Sequence, residues 1–531
     1  AVDNDWNNRN NWLCGQVPTA STNVSVQSGA ANLPIITSVQ ALNDLDIQSG
    51  ASLIIDNGTL KIGGVISNAG LFDVSRGTIE MNGSLPQTIP VNAFSNHRIK
   101  DLKINNDVSL AEQDTLTGTL TVASGKTFST NNNLILRSDS IGTARIAELP
   151  VDGSGNSTAI ITGNVSIERF IPLRKAWRLL SAPLKNSGAP SINAAWQEGL
   201  TTSSANPNLY PGYGVFITGG TVANGFDQGL TANTTIKVMN NGSFTTLPAT
   251  GTNLPITNYP GYFLYVRGDR SINLMQGNSA AITSTTLRMK GQINTGNQTT
   301  TVNATNYTVL GNPYPSAIDF ETLTKSNVKN SFYIWDPKLA GNFGLGAYVA
   351  FSWNSNTGTY DATTAASPVS KYIPSGEAVL VESLDGINPG TITIKESDKT
   401  ANGSDGVFGR PNGLNQQLRV NLYAVNADAT TALLDGVLTT YDDDNLNIVD
   451  NDDAKKLNGG SENIGIKRNT TMLAIERRKT ITDNDTSFLN LYQLKLQAYQ
   501  LEISLNNMQQ TGTIALLKDN YSNTINNRLL D

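Results

Sequence analysis

The sequence predicts an all-β protein made of several units in tandem, and two observations carry that prediction. Only 15% of the 531 residues are charged, 47 are Gly, and Asn and Thr are used heavily. Such a turn-rich composition favours many short strands and disfavours long helices. Short apolar-x-apolar triplets also recur between turns rich in Gly and Asn. At roughly 150 residues per domain, we place four units at residues 1–165, 166–290, 291–412 and 413–531.

The first unit, residues 1–165, carries the most regular pattern. Its triplets include Leu45-Asp46-Ile47, Leu53-Ile54-Ile55, Leu60-Lys61-Ile62, Ile79-Glu80-Met81, Leu102-Lys103-Ile104, Leu120-Thr121-Val122 and Leu134-Ile135-Leu136. Alternation of this kind indicates half-buried strands, which fit either a parallel β-solenoid or stacked hairpins. The triplets are so short and so alike that we favour the solenoid. A solenoid needs a cap over its open end, and Trp6 and Trp12 are placed to form one.

The middle of the chain reads as a tandem duplication. Trp177 and Tyr307 each begin an apolar strand that ends in a small residue, one further residue and then Pro. Each strand has a downstream counterpart entered through a glycine, Gly261 in one case and Gly376 in the other. We therefore predict two β-rich modules, residues 166–290 and 291–412. The best helix candidate is a short turn over 320–323, capped by Asp319.

The last unit, residues 413–531, follows a linker rich in Gly and Asn at 402–413. Strand-like runs predict an antiparallel β-sandwich here. The chain stops at Leu529-Leu530-Asp531 with no further strand pattern. We expect this sandwich to lack its closing strand.

Composition excludes several classes of function. A net charge of −6 argues against a nucleic-acid partner, which needs a basic face. The single cysteine, Cys14, excludes intramolecular disulfides, and we expect it to be buried near the cap. The single histidine, His97, lies in a polar run and is expected to be exposed; it excludes His-pair metal sites. Without a nucleophile elbow or a phosphate loop, the prediction is a non-enzyme, with an unrecognised hydrolase left open.

One acidic segment is dense enough to predict a cation site. Its carboxylates are Asp442, Asp443, Asp444, Asp450 and Asp452. Closely spaced carboxylates in a loop suit Ca²⁺, a hard ion that takes six to eight oxygen ligands. The spacing is not that of an EF-hand, and the alternative is a solvated acidic loop.

Several motifs together resemble a known group of proteins. They are the Trp-Asn-Asn start with Val17-Pro18-Thr19, the Gly-punctuated repeats, Trp177-Arg178-Leu179-Leu180-Ser181-Ala182-Pro183 and Gly311-Asn312-Pro313-Tyr314-Pro315. In these the chain resembles large cell-surface proteins of Bacteroidota exported by the type IX secretion system. The resemblance implies an extracellular location at the cell surface. It also implies O-glycosylation at Thr115 and Ser140, which stand in the Asp-Ser/Thr-apolar motif of that phylum.

The chain ends fit that resemblance as expectations. The sequence begins at Ala1 with neither Met nor an apolar leader, as a mature exported chain would. It shows no C-terminal sorting domain, which fits processing or truncation. The sequence contains no run of about 18 apolar residues, so we predict no membrane-spanning segment.

Three functions follow as hypotheses. The leading one is a non-enzymatic, secreted surface protein with a structural or adhesive role. The second is a carbohydrate-binding accessory protein, because Trp196, Trp335, Trp353 and two Tyr-Pro-Gly-Tyr runs could stack on sugar rings, although core packing is the commoner role of such residues. The third is the subunit of an extracellular fibre assembled by strand addition. The expected partners are surface glycans or other copies of the chain.

Overall fold

The computed structural model describes residues 1–202, 209–257, 261–339, 346–364, 367, 369–402, 416–460, 462–481, 485–508 and 515–528. The structure is nearly all β, with 45% strand and 5% helix, which confirms the predicted class. In the described ranges no helix is long and apolar enough to cross a membrane. The described residues hold one α-helix, α1 (Ile192–Trp196), and 3₁₀ turns at Arg9–Asn11, Ser95–His97, Val222–Asn224, Gly251–Asn253, Leu274–Ser279 and Glu396–Asp398.

The first unit is a β-solenoid of about five turns, as predicted. Its strands are β1 (Val24–Val26), β2 (Ile35–Ile36), β3 (Val39–Leu42), β4 (Leu45–Ile47), β5 (Ser52–Ile62), β6 (Ile66–Asn68), β7 (Leu71–Met81), β8 (Gln87–Ile89), β9 (Arg98–Ile104), β10 (Val108–Leu110), β11 (Asp114–Leu116), β12 (Thr119–Val122), β13 (Thr127–Ser129), β14 (Leu134–Leu136), β15 (Arg145–Ile146), β16 (Ile160–Thr162) and β17 (Val165–Ile171). The pairs among β1 to β17 are parallel. Because Val24 pairs with Leu45 and Leu45 with Ile66, one turn takes 21 residues there.

Aliphatic columns hold the turns together. Leu60, Ile79, Leu102, Leu120 and Ile146 pair in that order on successive turns, and each is fully buried. Each triplet therefore contributes its first and third residues to a continuous core. Burying one such side chain contributes about 1.5–3 kcal/mol, so the repeated triplet is the source of the solenoid's stability.

The cap forms at the N-terminal end, and one expectation about it is wrong. Trp6 is buried in the solenoid core and meets Trp12 edge-on, with 4.7 Å between ring centroids. The indole N–H of Trp12 donates to the Trp6 carbonyl at 2.9 Å. Cys14, expected to be buried, is exposed. It lies in the turn that follows Trp12, where the two indoles already fill the space beneath the cap.

The solenoid continues into the first module through one sheet. β17 pairs in parallel with β14 on one side and antiparallel with β22 on the other. The middle strands are β18 (Ala176–Leu180), β19 (Ile236–Asn240), β20 (Ser243–Thr246), β21 (Tyr262–Val266), β22 (Thr285–Gly291), β23 (Gln298–Val302), β24 (Thr308–Gly311), β25 (Ala317–Asp319), β26 (Thr324–Ser326), β27 (Ser331–Asp336), β28 (Ala347–Asn354), β29 (Thr359–Ala362), β30 (Tyr372–Ile373), β31 (Ala378–Val381), β32 (Gly390–Ile394) and β33 (Lys399–Thr400). The predicted boundary after residue 165 thus falls at the start of β17.

Each of the two modules contains an equivalent pair of antiparallel core strands. β18 pairs antiparallel with β21, with Leu180 opposite Tyr262, and β24 pairs antiparallel with β31, with Leu310 opposite Val379. In each module the aromatic-led strand therefore pairs with the strand that is entered through a glycine.

The helical turn expected after Asp319 does not form. Asp319 ends β25, which pairs with β30 and β33. Its carboxylate accepts the backbone N–H of Glu321 at 3.0 Å and so closes a turn instead of capping a helix. Strand pairing on both sides of β25 overrides the local capping signal.

The C-terminal unit is a mixed sheet, which corrects the prediction of an antiparallel one. Its strands are β34 (Gln416–Val425), β35 (Thr431–Tyr441), β36 (Ala454–Lys455), β37 (Asn463–Arg468), β38 (Thr471–Arg478), β39 (Leu489–Tyr492), β40 (Tyr499–Asn506), β41 (Ala515–Asp519) and β42 (Thr524–Arg528). The main sheet has the order β39-β37-β38-β35-β34-β40, and β35 and β38 are parallel. The acidic segment after β35 is part of the crossover that a parallel pair requires. The predicted linker at 402–413, the boundary at 412 and the last three residues lie almost wholly outside the described residues.

Candidate functional site

His97, Glu112 and Asp114 come together on the solenoid. His97 Nδ1 lies 3.4 Å from Glu112 Oε1 and 3.8 Å from Asp114 Oδ1. One nitrogen or oxygen from each side chain lies within 4.8 Å of the other two, and no other described His, Cys, Asp or Glu side chains form such a trio. The side chains are 50%, 19% and 0% exposed in that order. The three side chains therefore extend from the surface, at His97, to the core, at Asp114.

The register of the solenoid brings these residues together. Thr115 of β11 pairs with Arg98 of β9. The residues just before them, Asp114 and His97, therefore lie side by side on successive turns. Glu112 lies two residues before Asp114, in the short connection from β10 to β11. A backbone N–H from Asn92 donates to Glu112 Oε1 and holds that carboxylate in place.

Asp114 occupies an inward position that is apolar on the following turns. Leu134 and then Val165 take this position, and both are fully buried. Both carboxylate oxygens of Asp114 are buried and have no hydrogen-bond partner. Burial and, to a smaller extent, the neighbouring Glu112 carboxylate raise the pKa of Asp114 to about 7, against an opposing effect of His97. A buried carboxylate without a partner costs free energy of folding, and so this position is not explained by packing.

Sequence reasoning missed this trio although a signal for it was present. Asp114-Thr115-Leu116 stands where the repeat has an apolar-x-apolar triplet, with Asp in the first apolar position. Its burial pattern is nonetheless that of the apolar triplets. His97 was expected to be exposed, and its side chain is half-exposed.

The acidic segment predicted to bind calcium has a different geometry. Asp442 accepts the N–H of Asp444 at 3.1 Å, and Asp450 accepts the N–H of Asp452 at 2.9 Å. Asp443 is exposed to solvent. The five predicted ligands form no trio of converging side chains in the described part of the chain. Calcium binding here stays a prediction.

The two predicted glycosylation sites differ in accessibility. Ser140 is exposed in the turn between Ser138 and Thr143, which form an isolated bridge. Thr115 is half-buried in the middle of β11, and Asp114 before it is fully buried. Ser140 is the more open of the two to a transferase.

The aromatic residues considered for sugar binding lie mainly in the core. Trp196 and Trp335 are 1% and 6% exposed, and Trp353 is half-buried against Tyr360. Tyr210 is exposed at 37% and lies beside Arg288, whereas Tyr259 of the second Tyr-Pro-Gly-Tyr run lies outside the described residues. Core packing is therefore the role of the two buried tryptophans.

A shared apolar core joins three of the units. It includes Leu179 and Phe263 from the first module, Trp335 from the second, and Leu438 and Ile475 from the C-terminal unit. Phe263 and Trp335 meet edge-on with ring centroids 4.7 Å apart.

Buried polar contacts join the solenoid and the C-terminal unit to the second module. The Glu396 carboxylate accepts the N–H of Leu149 at 2.9 Å and pairs with buried Lys399 at 2.6 Å. Arg477 of β38 pairs with Asp361 at 2.9 Å and donates to the Ser352 carbonyl at 3.0 Å. Breaking a buried pair of this kind by removing one partner typically costs about 3–5 kcal/mol.

The C-terminal end presents strands with open sides. Among the described strands, β39 and β40 are the two edges of the main sheet, and β41 pairs with β42 alone. In this hairpin Leu516, Tyr521 and Ile525 are 55%, 101% and 59% exposed. A lone two-stranded hairpin is marginally stable in water, so its apolar side chains favour contact with another surface.

Two segments of the chain, residues 1–109 and 85–529, match the model of a family described as a domain of unknown function (DUF8693). The matches together take in nearly the whole chain, and they overlap in the repeating part of the solenoid. No curated protein and no solved structure matches the chain.

Proposed function

This chain belongs to the domain-of-unknown-function family DUF8693, and we propose that it is a non-enzymatic structural or adhesive protein of the extracellular cell surface. The observation that supports this most directly is the apolar core shared by both modules and the C-terminal unit. Units that share a core respond to force together. A protein that links a cell to a surface, or one part of an envelope to another, benefits from that property.

The polar junctions support the same role. The solenoid is tied to the second module through Glu396, and the C-terminal unit is tied to it through Arg477. These contacts are buried, so salt screens them little. Charge is otherwise scarce in the sequence, which suits a surface protein that must keep its form in varied ionic conditions.

Calorimetry and force measurements on the full chain test this role. We expect one cooperative transition for the modules and the C-terminal unit, and one joint rupture under tension. Phe263→Ala removes the ring that contacts Trp335 and should separate the transitions. Phe244→Ala is the matched control, because Phe244 stacks on the same ring from within the first module. Separate transitions in the unmodified chain would contradict the proposal, and so would polysaccharide turnover that is lost on replacing one carboxylate.

The extracellular location rests on the resemblance to surface proteins exported by type IX secretion and on the open position of Ser140. Mass spectrometry of the protein isolated from its native cells tests it. We expect a glycan on Ser140 and a protease-accessible protein on intact cells. Protein that is protected from protease until the cells are lysed would contradict this location.

A second function, a fibre subunit assembled by strand addition, is favoured by the isolated β41–β42 hairpin. The hairpin exposes Leu516 and Ile525, and the main sheet offers β39 and β40 as open edges. A hairpin from one copy that pairs with an edge strand of the next would form a head-to-tail contact, which extends into a filament unless the rotation closes.

Light scattering and electron microscopy separate the two functions. In the fibre function, Leu516→Asp combined with Ile525→Asp abolishes concentration-dependent assembly and leaves the melting temperature unchanged. Leu85→Asp is the matched control, because Leu85 is 75% exposed on the solenoid. A chain that stays monomeric at high concentration would exclude the fibre function and leave the structural role in place.

A further inference from the structure

The trio of His97, Glu112 and Asp114 combines three features that packing does not explain. Its side chains come from two turns of the solenoid and converge on one point. Asp114 is fully buried, neither of its oxygens has a hydrogen-bond partner, and Oδ1 lies 3.8 Å from His97 Nδ1. The single imidazole of the chain lies at the open side. A cation would neutralise a buried carboxylate that has no hydrogen-bond partner and lies beside a histidine and a second carboxylate.

The distances fit a small transition-metal ion. Zinc binds histidine nitrogen and carboxylate oxygen at about 2.0–2.2 Å, so two ligands of a tetrahedral site lie about 3.4 Å apart. His97 Nδ1 lies 3.4 Å from Glu112 Oε1 and 3.8 Å from Asp114 Oδ1. The Glu112 and Asp114 oxygens lie within 4.8 Å of each other, so an ion bound by all three side chains would draw the ligand atoms closer together.

We propose that His97, Glu112 and Asp114 bind one divalent transition-metal ion, for which Zn²⁺ is the best match. A neutral imidazole and two carboxylates balance the charge of a divalent ion, so the bound site carries no net charge into the solenoid. Solvent reaches the ion past half-exposed His97 and supplies the remaining ligand. The hydrogen bond from Asn92 to Glu112 is the outer-shell support that metal ligands usually have.

The donor set distinguishes this ion from calcium. Ca²⁺ takes six to eight oxygen ligands, whereas this group offers one nitrogen and two carboxylates. Imidazole nitrogen favours zinc and its transition-metal neighbours. The site therefore differs in chemistry, and in position in the chain, from the predicted calcium ligands at 442–452.

The bound ion would join successive turns of the solenoid. His97 precedes β9 and Asp114 begins β11, so a shared ion adds a bond across two strands that otherwise meet through backbone pairing. A ligand that binds the folded state alone stabilises it, and so the solenoid should melt at a higher temperature with zinc than without.

Titration of the metal-free full chain with ZnCl₂ tests the proposal. We expect one Zn²⁺ per chain by calorimetry and a zinc-dependent rise in melting temperature. Because His97 is the only histidine, the imidazole signals in an NMR spectrum report this site alone, and they should shift on zinc addition. CaCl₂ at the same concentration should leave those signals in place.

Three conservative variants keep the test falsifiable. Asp114→Asn and Glu112→Gln keep the side-chain shape, and His97→Asn suits the left-handed backbone there, with φ of 51°. Each should weaken zinc binding by more than about 100-fold, beyond the loss typical of an outer-shell change. Asp442→Asn combined with Asp450→Asn is the matched control and should leave zinc binding unchanged. Imidazole signals that do not respond to zinc, or full binding by Asp114→Asn, would overturn the proposal.

Discussion

The acidic segment at 442–453 and the trio on the solenoid are opposite kinds of carboxylate cluster. In the acidic segment the carboxylates are neighbours in sequence, and Asp442 and Asp450 accept backbone N–H groups two residues onward. In the trio Asp114 accepts no hydrogen bond, although it is fully buried. Carboxylates that are close together in sequence therefore accept hydrogen bonds from nearby backbone N–H groups. The strand register of a solenoid can instead bring together a few residues that are distant in sequence. One of them can then be buried without a hydrogen-bond partner.

The two clusters also differ in their surroundings: the trio lies on the packed turns of the solenoid, and the acidic segment is a loop. Leu102 of β9 lies on the same turn of the solenoid as His97 and is fully buried, whereas Leu446 of the acidic segment is 49% exposed. Leu102→Ala should lower the free energy of unfolding by about 2–5 kcal/mol, because it leaves a cavity in a column of aliphatic side chains. Leu446→Ala should change it by less than about 0.5 kcal/mol. Chemical denaturation of both variants measures the difference, and equal losses would mean that the solenoid columns do not carry its stability.

Neutralising one carboxylate in each cluster should have effects of opposite sign. In metal-free protein Asp114→Asn should stabilise the fold by about 1–3 kcal/mol, because it replaces a buried carboxylate that has no hydrogen-bond partner with a neutral side chain. Asp453→Asn should destabilise it by a similar amount, since Asp453 accepts the N–H groups of Arg477 at 2.8 Å and Asp450 at 3.0 Å. Urea titrations of the two variants without metal check this. Destabilisation by Asp114→Asn would show that this carboxylate has a partner in solution.

A buried carboxylate with cationic partners gives an intermediate case. Burial raises the pKa of Glu476 to about 6 from its usual 4.5, although Arg468 lies 2.7 Å away. Its folded pKa exceeds its unfolded pKa, so the folded state binds the proton more tightly. The resulting stabilisation is complete below about pH 4.5 and is lost as the pH rises through about 6.

Melting temperatures between pH 5 and 7.5 check that sign. The unmodified chain should lose stability relative to Glu476→Gln as the pH rises, by about 1–2 kcal/mol over the range. Glu502 is the control, because hydrogen bonds from Asn421 and Tyr423 lower its pKa. Glu502→Gln should show no such slope between pH 5 and 7.5. A gain in stability of the unmodified chain relative to Glu476→Gln as the pH rises would contradict the assigned cause.

The smallest effect is expected from calcium at the acidic segment. A chelator should lower the melting temperature of the C-terminal unit only if the ion binds there, and the five aspartates form no converging trio of side chains among the described residues. We expect a shift close to zero in excess chelator. A large decrease would confirm the sequence prediction of a calcium site at the acidic segment.

The fold was largely predictable because its signals are local and repeated. Each Leu-x-Ile triplet reports its own alternation, and the similarity of the triplets indicates the stacking. The parallel pairing of β35 with β38 was not predictable in that way, because it depends on where the crossover returns the chain. The turn after Asp319 was misread for a similar reason, since β25 is held by strands distant in sequence.

The trio illustrates why sites are harder to predict than folds. His97 and Asp114 are 17 residues apart in number, and their contact follows from the pairing of Arg98 with Thr115. A single histidine excluded a His-pair site but not a site with one histidine and two carboxylates. The informative signal was an Asp in a position that the repeat reserves for apolar residues.

Anomalous diffraction from crystals grown with ZnCl₂ tests the central claim most directly, namely that solenoid register and not acidic density creates the metal site. We expect one strong peak between His97 Nδ1, Glu112 Oε1 and Asp114 Oδ1. A peak among Asp442, Asp450 and Asp452, with none at the trio, would contradict it.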